Sequence, residues 1–341
     1  MLHRREVARH ALSATSTHDT KRGEDARALL YTLSEAPDVW IEAVARWRQA
    51  LRPFTTGTAK GPVPDARTEW LIFQALAGML PVNFDPEDQA SLTDLKARFS
   101  AYIEKALREA KLHSNWSAPD LGYEQAVKDY AESMLNGRAD GFLRDFRNVL
   151  APFAAAGLRN SLCQTVLKLT CPGIPDIYNG AELFDFSLVD PDNRRPIDIA
   201  ALSRMPIPKI LHGGGAALRD GSLKLGLIAA MLGERKRLPA LFAEGDYIPL
   251  SVSGVRSQHL LAFARRHEGH AMIVIVTRLP YQACEAAEDA ETFWANTAVH
   301  LPENHASHAY RSLSDGAELP SGGPLRIGPL LHDLPFAVVI S

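Results

Sequence analysis

The chain has 341 residues, enough for two ordinary domains or for one large α/β domain with an appendage. Apolar residues make up 46% and charged residues 23%, which is typical of a globular protein and excludes a disordered chain or a coiled coil. Lys and Arg number 37 against 40 Asp and Glu, and this net charge of −3 favours neither nucleic acid nor an anionic membrane as partner.

The sequence also bounds the compartment. No apolar run approaches the roughly 20 residues that a membrane span needs. The N-terminal residues 1–10 are basic, but no apolar stretch follows them, so they do not resemble a secretory signal. The cysteines, Cys163, Cys171 and Cys284, form no CxxC pair and indicate a reducing environment. We therefore expect a cytoplasmic protein.

The first half of the chain is predicted to be mostly helical. Residues 11–19 predict a short strand that runs into a polar loop. Apolar side chains then recur every three or four residues, and Gly157 separates the last two of the predicted helices. These helices cover 40–51, 70–80, 92–106, 123–134, 142–153 and 158–170. Trp40, Trp47 and Trp70 occupy core positions of the pattern, which predicts packing rather than sugar stacking.

The second half changes character. Residues 174–178 predict an extended run, and a loop rich in Asp, Asn, Arg and Pro follows. Ser222 is predicted to cap one more helix. From about residue 245 the apolar period becomes two, which predicts a small β-sandwich. Its candidate strands are 247–252, 259–265, 272–277, 298–301 and 336–340.

The first polar cluster follows the predicted strand at 11–19. In one interpretation it lines a pocket, where His18 and Asp19 bind ligand hydroxyls while Lys21 and Arg22 hold nearby carboxylates. In the other it is the start of a helix, with Thr20 as the cap and the following acidic residues favoured by the helix dipole. The spacing alone leaves both interpretations open.

Two more polar clusters, 172–182 and 190–196, follow the predicted helices. In the second of them, Asp192, Asn193 and Arg194 combine planar donors with carboxylate acceptors, a set suited to sugar hydroxyls. The alternative is a turn-rich, solvated loop with internal ion pairs. Both interpretations stay open here as well.

Other chemistry is not indicated by the sequence. His267 and His270, and likewise His305 and His308, have a spacing that could hold a metal, but no third ligand accompanies either pair. We find no GxGxxG, P-loop or GxSxG motif. We therefore expect neither a metal nor an organic cofactor.

Five segments resemble, in the same order, the maltooligosyltrehalose synthase family, which is part of the α-amylase clan of retaining glycoside-active enzymes. The first, ATSTHDTKRGED, resembles that family's form of the clan's fourth signature region, and the block 159–198 is the most specific. The five segments are 14–25, 68–81, 115–127, 159–198 and 234–250. The resemblance covers nearly the whole chain and corresponds to the C-terminal portion of the family.

This resemblance implies an α/β plus all-β architecture, the C-terminal part of a (β/α)8 TIM barrel with a large helical insertion, followed by a β-sandwich domain. Residues 1–30 would supply the seventh strand and its catalytic-face loop, and 31–157 the insertion. Residues 158–235 would supply the eighth strand, its loop and the last helix, and 236–341 the sandwich. A whole barrel needs about 250 residues, so these last units alone would expose unpaired strand edges.

The resemblance also implies roles for individual residues. Asp19 would be the carboxylate that stabilises the oxocarbenium-like transition state, and His18 would bind the same sugar ring. Lys21, Arg22 and the 192–194 cluster are further candidates for binding substrate. Retaining chemistry needs a nucleophile and an acid/base carboxylate about 5 Å apart. In the family both lie on strands four and five, whose motifs this sequence lacks.

The implied reaction is an isomerisation in trehalose biosynthesis: an enzyme of this type converts the terminal α-1,4 bond of a maltooligosaccharide into an α,α-1,1 bond. Without the two carboxylates we expect the chain alone to be inactive and to need an N-terminal half chain as partner. A non-catalytic glucan-binding or remnant protein is the alternative. An α-amylase-type hydrolase is a weaker one, because the TSTHDTKRGED and DPDNRRP blocks point away from it.

Overall fold

The computed structural model describes residues 1–59, 61–213, 215–285, 289–302, 309–319 and 323–341. These residues are rich in helix, contain several small sheets and form no closed barrel. None of their helices is long and apolar enough to cross a membrane. The chain divides into two compact units. The first unit is Met1–Thr17, Ala156–Asp185 and Pro196–Ser341, and the second unit is His18–Ala155 and Phe186–Arg195.

The described elements are numbered in chain order. The helices are α1 Leu2–Ala8, α2 Glu24–Thr32, α3 Pro37–Leu51, α4 Ala66–Met79, α5 Gln89–Ala110, α6 Leu121–Ser133, α7 Phe142–Thr170, α8 Ile199–Arg204, α9 Gly215–Asp220, α10 Ser222–Arg237, α11 Pro239–Ala243, α12 Tyr281–Glu285, α13 Ala290–Trp294 and α14 Ile327–Leu330. The strands are β1 Leu12–Ser13, β2 Thr56–Thr58, β3 Gly61–Val63, β4 Ile174–Pro175, β5 Asp246–Pro249, β6 Ser251–Ser253, β7 Leu260–His267, β8 His270–Thr277, β9 Ala298–His300, β10 Arg311–Ser312, β11 Leu325–Arg326 and β12 Phe336–Ile340.

Aspartates begin the middle helices of the second unit. Asp65, Asp88 and Asp120 precede α4, α5 and α6, and each carboxylate accepts a hydrogen bond from backbone N–H groups of the first turn. These groups have no partner inside the helix, so a carboxylate cap stabilises it by about 1 kcal/mol. The caps and the helical apolar period together explain why α4 to α6 lie close to their predicted positions.

An aromatic cluster forms the core of the second unit. The ring centroids of Trp47 and Phe146 are 4.7 Å apart, and those of Trp40 and Trp47 are 5.3 Å apart. Both tryptophans are buried, as predicted. The prediction was wrong for Trp70, which is exposed, because α4 turns Ile72 and its neighbours inward instead.

One helix replaces two predicted ones. The sequence predicts a break at Gly157, but α7 continues through it and also through Pro152. Glycine costs about 1 kcal/mol and proline about 3 kcal/mol in a helix interior. The buried Phe153, Leu158 and Leu162 flank these positions, and their burial at about 1.5–3 kcal/mol each outweighs that cost.

The first unit contains a short parallel strand pair. β1 pairs with β4 in the register Leu12↔Ile174 and Ser13↔Pro175. Gly173 has φ +131°, and a Cβ there would lie 2.5 Å from the Ser13 Oγ atom. Only glycine therefore permits this approach of the two segments. Both predicted extended runs are present, although each forms only two residues of strand.

The antiparallel strands form two sheets, ordered β10-β12-β8-β7-β5 and β11-β9-β6. The predicted strand 247–252 is in fact two strands, since β5 pairs with β7 whereas β6 pairs with β9. The chain changes sheets at Leu250, whose N–H donates to the carbonyl oxygen of Ala262. Strands that switch sheets in this way connect two packed layers.

The five-stranded sheet is buried on both faces. Met272, Val274 and Val276 of β8 point into a core shared with α7 and α10. The alternate residues Ile273 and Ile275 point into a second core shared with the three-stranded sheet. This period of two is the strand geometry that the sequence predicted, with apolar residues on both faces.

The predicted cap of α10 was wrong. Ser222 is the first residue of the helix, and Gly221, with φ +83°, holds the cap position without a side-chain hydrogen bond. A Cβ at Gly221 would lie 3.2 Å from Leu183. The positive φ and the close neighbour explain why glycine, rather than the adjacent serine, ends the loop here.

Candidate functional site

The first polar cluster lies in an exposed loop of the second unit. The Nε2 atom of His18 is 3.2 Å from the Oδ2 atom of Asp19, and both side chains are exposed. The following helix begins at Glu24 with Gly23 as its cap, so Thr20 does not cap it. His18 and Asp19 are thus placed together at the surface, where they can contact a ligand.

Lys21 is held by a residue of α5. Its Nζ atom donates to Glu109 Oε2 at 2.8 Å. This hydrogen bond raises the pKa of Lys21 and lowers the pKa of Glu109, so the pair stays charged at neutral pH. The ammonium group is therefore fixed in place but still more than half exposed.

Arg22 joins the first loop to the third cluster through its main chain. It forms a β-bridge with Leu188, and the adjacent Gly23 N–H donates to the Ser187 carbonyl oxygen at 2.7 Å. The Nε and Nη2 atoms of Arg22 are buried and have no hydrogen-bond partner among the described residues. Buried polar atoms normally have a partner, so an ordered water, an ion or a ligand could each satisfy these two nitrogens.

Asp192 stabilises its own loop. Its buried carboxylate accepts Arg98 Nε at 2.7 Å and Nη2 at 2.9 Å, a bidentate pair. It also accepts the backbone N–H of Leu188 at 2.7 Å. These contacts saturate much of the carboxylate and leave little of it for a sugar.

The other two residues of the third cluster differ in their surroundings. Asn193 is buried, and its Nδ2 atom donates to the His18 carbonyl oxygen at 3.1 Å. Arg194 is more exposed, and its Nε atom lies 3.2 Å from Asp190 Oδ1. Asn193 therefore fixes the backbone of the first loop, whereas Arg194 remains accessible at the surface.

Sequence reasoning missed the contribution of α5. Arg98, Lys105 and Glu109 lie on one face of this helix and hold both loops: Arg98 binds Asp192, and Lys105 Nζ donates to the Asp190 carbonyl oxygen at 2.7 Å. The spacings of seven and four residues give these three a common helical face. That charged stripe was a signal in the sequence, but only the fold shows what it contacts.

The structure thus gathers all seven predicted site residues in the second unit, where two loops meet α5. The seven are His18, Asp19, Lys21, Arg22, Asp192, Asn193 and Arg194. The residues 172–182 of the other polar cluster belong to the first unit.

No group of three or more potential metal ligands occurs in the described part of the chain. His267 and His270 face each other in the β7–β8 register, and His267 Nε2 lies 3.8 Å from Glu268. His305 and His308 lie outside the described residues.

Comparison with known proteins identifies the type of fold. A curated maltooligosyl trehalose synthase of Mycobacterium tuberculosis is 30% identical over 330 residues, 97% of this chain and 37% of that protein. The maltooligosyltrehalose synthase structure from Arthrobacter ramosus has a TM-score of 0.75 at 29% identity and covers 99% of this chain and 39% of that one. A hypothetical maltooligosyl trehalose synthase of Sulfolobus tokodaii has a TM-score of 0.70 at 25% identity, with 96% and 38% covered. No protein-family profile matches the chain.

The chain therefore shares its fold with part of these longer enzymes. The similarity confirms the resemblance predicted from the sequence motifs: the chain is similar to part of the maltooligosyltrehalose synthases and spans 37–39% of the length of these proteins.

Proposed function

We propose that this segment supplies the substrate-binding loops of an isomerase that converts the terminal α-1,4 bond of a maltooligosaccharide into an α,α-1,1 bond. The observation that carries the proposal is the joining of the 18–22 and 186–195 loops by Asn193, the Arg22–Leu188 bridge and α5. Two sequence motifs that are far apart in the chain thereby form one surface of sugar-binding chemistry.

The reaction proceeds in two balanced steps. A carboxylate nucleophile attacks the anomeric carbon while the C–O bond to the reducing-end glucose breaks, and an acid gives its proton to the departing oxygen. The released glucose then attacks the same carbon through its own anomeric hydroxyl, which returns the proton to the acid/base group. Water must be excluded, because it would hydrolyse the intermediate.

Within this scheme Asp19 stabilises the positive charge of the oxocarbenium-like transition state. His18, at hydrogen-bond distance from Asp19, binds hydroxyls of the same ring. Lys21 and Arg22 bind the glucose that is released and turned, and Arg194 extends the same surface. Asp192 and Asn193 act through the loop, since their side chains hold its backbone.

The architecture that goes with this function is a partial barrel. We assign β1 and β4 as its seventh and eighth strands, because they are parallel and the two site loops follow them in the chain. Catalytic loops of such barrels follow the carboxyl ends of the strands. The two antiparallel sheets would then be the β-sandwich, with domain boundaries at 1–30, 31–157, 158–235 and 236–341.

The nucleophile and the acid/base carboxylate would come from a polypeptide corresponding to the rest of the similar enzymes. Leu12 of β1 is 71% exposed and Ile174 of β4 is 47% exposed. A parallel pair of two residues is too short to be stable without neighbours. The exposed strand pair supports docking of further barrel strands.

The test is complementation. The purified chain is mixed with a polypeptide that covers the part of the Arthrobacter ramosus enzyme outside the match, and maltopentaose is supplied. We expect loss of reducing ends at unchanged product mass from the mixture, and no change from either part alone. Release of free glucose or maltose would instead indicate a hydrolase, and no reaction from a complex that forms would contradict the proposal.

A substitution in this chain tests whether Asp19 contributes to the isomerisation. Asp19→Asn should lower the isomerisation rate by about a hundredfold to a thousandfold, because it removes the charge that stabilises the transition state. Asp140→Asn, at an exposed position before α7, is the matched control and should leave the rate unchanged. Equal rates for the two variants would remove Asp19 from the mechanism.

A further inference from the structure

His259 is a buried histidine of the first unit that the proposed function does not use. It ends the short turn before β7 and is only 3% exposed. Its carbonyl oxygen accepts the N–H of Arg278 at 2.9 Å, and its Nδ1 atom lies 3.3 Å from the carbonyl oxygen of Leu279. The main chain and the side chain of His259 thus both hold the turn that follows β8.

The turn after β8 has little else to fix its shape. Leu279 has φ +53°, a left-handed conformation that a residue with a side chain rarely adopts. It is also 39% exposed, so its own side chain gains only part of the stabilisation that full burial would give. The conformation of this turn therefore depends on hydrogen bonds such as those with His259.

A third contact joins His259 to α13. Its imidazole meets the ring of Phe293 edge to face, with 6.3 Å between the two centroids. The guanidinium carbon of Arg256 lies 4.4 Å from the centroid of the same ring, and the Arg256 Nε atom donates to the Phe293 carbonyl oxygen at 3.3 Å. An imidazole and a guanidinium together therefore hold α13.

The hydrogen bond to Leu279 fixes the tautomer of the imidazole. A carbonyl oxygen can only accept, so Nδ1 carries the proton and Nε2 carries the lone pair that takes up a second one. The Nε2 atom is buried and has no hydrogen-bond partner among the described residues. Protonation would therefore create a buried N–H donor that lacks an acceptor, which is unfavourable.

The surrounding charges do not compensate for a protonated His259. The charged groups on the elements that contact it are Arg256 in its own turn, Arg278 after β8, and Asp289 and Glu291 at the start of α13. Both carboxylates are exposed, and neither forms an ion pair with His259 in the part of the chain that the structure describes. Arg256, on the same aromatic ring, would repel the added charge.

We propose that His259 is a proton-sensitive latch, which holds the turn 278–280 and α13 in place while its imidazole is neutral and releases them when it is protonated. The released form can hydrate the added charge, whereas the packed form cannot, so protons favour release. The segment is held at the upper end of the range in which histidine titrates, about pH 5 to 8, and is released toward the lower end. The latch is independent of the proposed function, because it involves no substrate.

The experiment measures amide hydrogen exchange of the full chain at about pH 8 and about pH 5, the limits of histidine titration, as protection factors that remove the chemical dependence of exchange on pH. The amides of Arg278 and Phe293 should lose at least about tenfold in protection at the lower pH. The amide of Val274, in the middle of β8, should keep its protection. An equal loss at Val274 would indicate general unfolding and overturn the proposal, as would unchanged protection at Arg278 and Phe293.

A variant assigns the effect to one imidazole. His259→Asn retains a donor near the position of Nδ1 but does not titrate in this range, so the protection of Arg278 and Phe293 should no longer depend on pH. His267→Asn, which alters a partly exposed histidine at the other end of β7, is the matched control and should retain the dependence. A dependence that persists in His259→Asn would contradict the latch.

A further measurement needs no variant and does not require that His259→Asn fold. The nitrogen resonances of the His259 imidazole in the unaltered chain should show the Nδ1–H tautomer at about pH 8. They should then change with the same midpoint as the protection of Arg278 and Phe293. An Nε2–H tautomer, or two different midpoints, would overturn the proposal.

Discussion

Arg265 carries an unusual share of the contacts in the first unit. It is fully buried, and its guanidinium donates to the carbonyl oxygens of Asp246, Thr170, Phe242 and Gly245. These acceptors belong to the end of α7, to α11 with the loop after it, and to β5. Burial lowers the pKa of Arg265 to about 10, so the group is still charged at neutral pH.

Replacing Arg265 should therefore be severe. Arg265→Met leaves the four carbonyl oxygens without this donor, and the expected loss in the free energy of unfolding is about 3–5 kcal/mol. Arg266→Met is the matched control. The Arg266 side chain is partly exposed, and its ion pair with Asp246 is long at 3.9 Å. This variant should change stability by less than about 1 kcal/mol. Urea unfolding measures both, and similar losses would contradict this assignment.

At the scale of elements, α5 contacts both loops of the candidate site and the neighbouring helix α6. One face holds the two site loops, and near its end Arg108 makes a bidentate pair with the buried Glu124 of α6, at 2.8 and 2.7 Å. Ser114 of the connecting loop also donates to Glu124. The helix therefore positions the candidate site and its own neighbour together.

The contact between Arg98 and Asp192 predicts how readily the 186–195 loop opens. Arg98→Met removes the two hydrogen bonds to Asp192, whose carboxylate also holds the Leu188 N–H. We expect amide hydrogens in this loop to exchange about ten- to a hundredfold faster, as local opening becomes easier. Arg46→Met, a change to an exposed arginine of α3, should leave the exchange unchanged. Unchanged exchange in Arg98→Met would mean that other contacts hold the loop.

The Glu124 pair predicts a pH dependence. Hydrogen bonds from Arg108 lower the pKa of Glu124 from its ordinary 4.5. Its contribution to stability is thus complete above about pH 4.5 and disappears as the pH falls through the lowered value. Unfolding temperatures measured from about pH 6 to about pH 3 should fall less steeply for Glu124→Gln than for the unaltered chain. The exposed Glu87→Gln should retain the original slope, and a steeper fall for Glu124→Gln would contradict the sign.

At the scale of the whole molecule, the exposed parallel pair is the notable feature. Leu12 and Ile174 expose apolar surface on a strand pair that has no third strand beside it among the described residues. Such edges pair readily with other chains. The chain also spans only 37–39% of the length of the similar enzymes.

The isolated chain is accordingly expected to self-associate. The double variant Leu12→Lys with Ile174→Lys should shift it toward the monomer, because charges at a strand edge oppose pairing. Light scattering coupled to size-exclusion chromatography measures this shift. Leu121→Lys, at an equally exposed leucine of α6, should have no effect. A monodisperse monomer from the unaltered chain would contradict the prediction.

The sequence by itself determined the family resemblance and most of the helices. The apolar period of α3 to α6 is a local property, and residues three or four apart define a face whatever the helix later contacts. The segment around His18 and Asp19 could likewise be recognised from the sequence as resembling a family motif. Their roles as site residues remain predictions.

Tertiary structure decided what local pattern could not. The continuity of α7 through Gly157, the change of sheets at Leu250 and the outward position of Trp70 all depend on burial against distant residues. The same holds for the partners of Asp192 and Lys21 on α5, which lie about 90 residues away in the chain. Propensity and periodicity report a few neighbouring residues, whereas burial and ion pairing are settled only when separate segments meet.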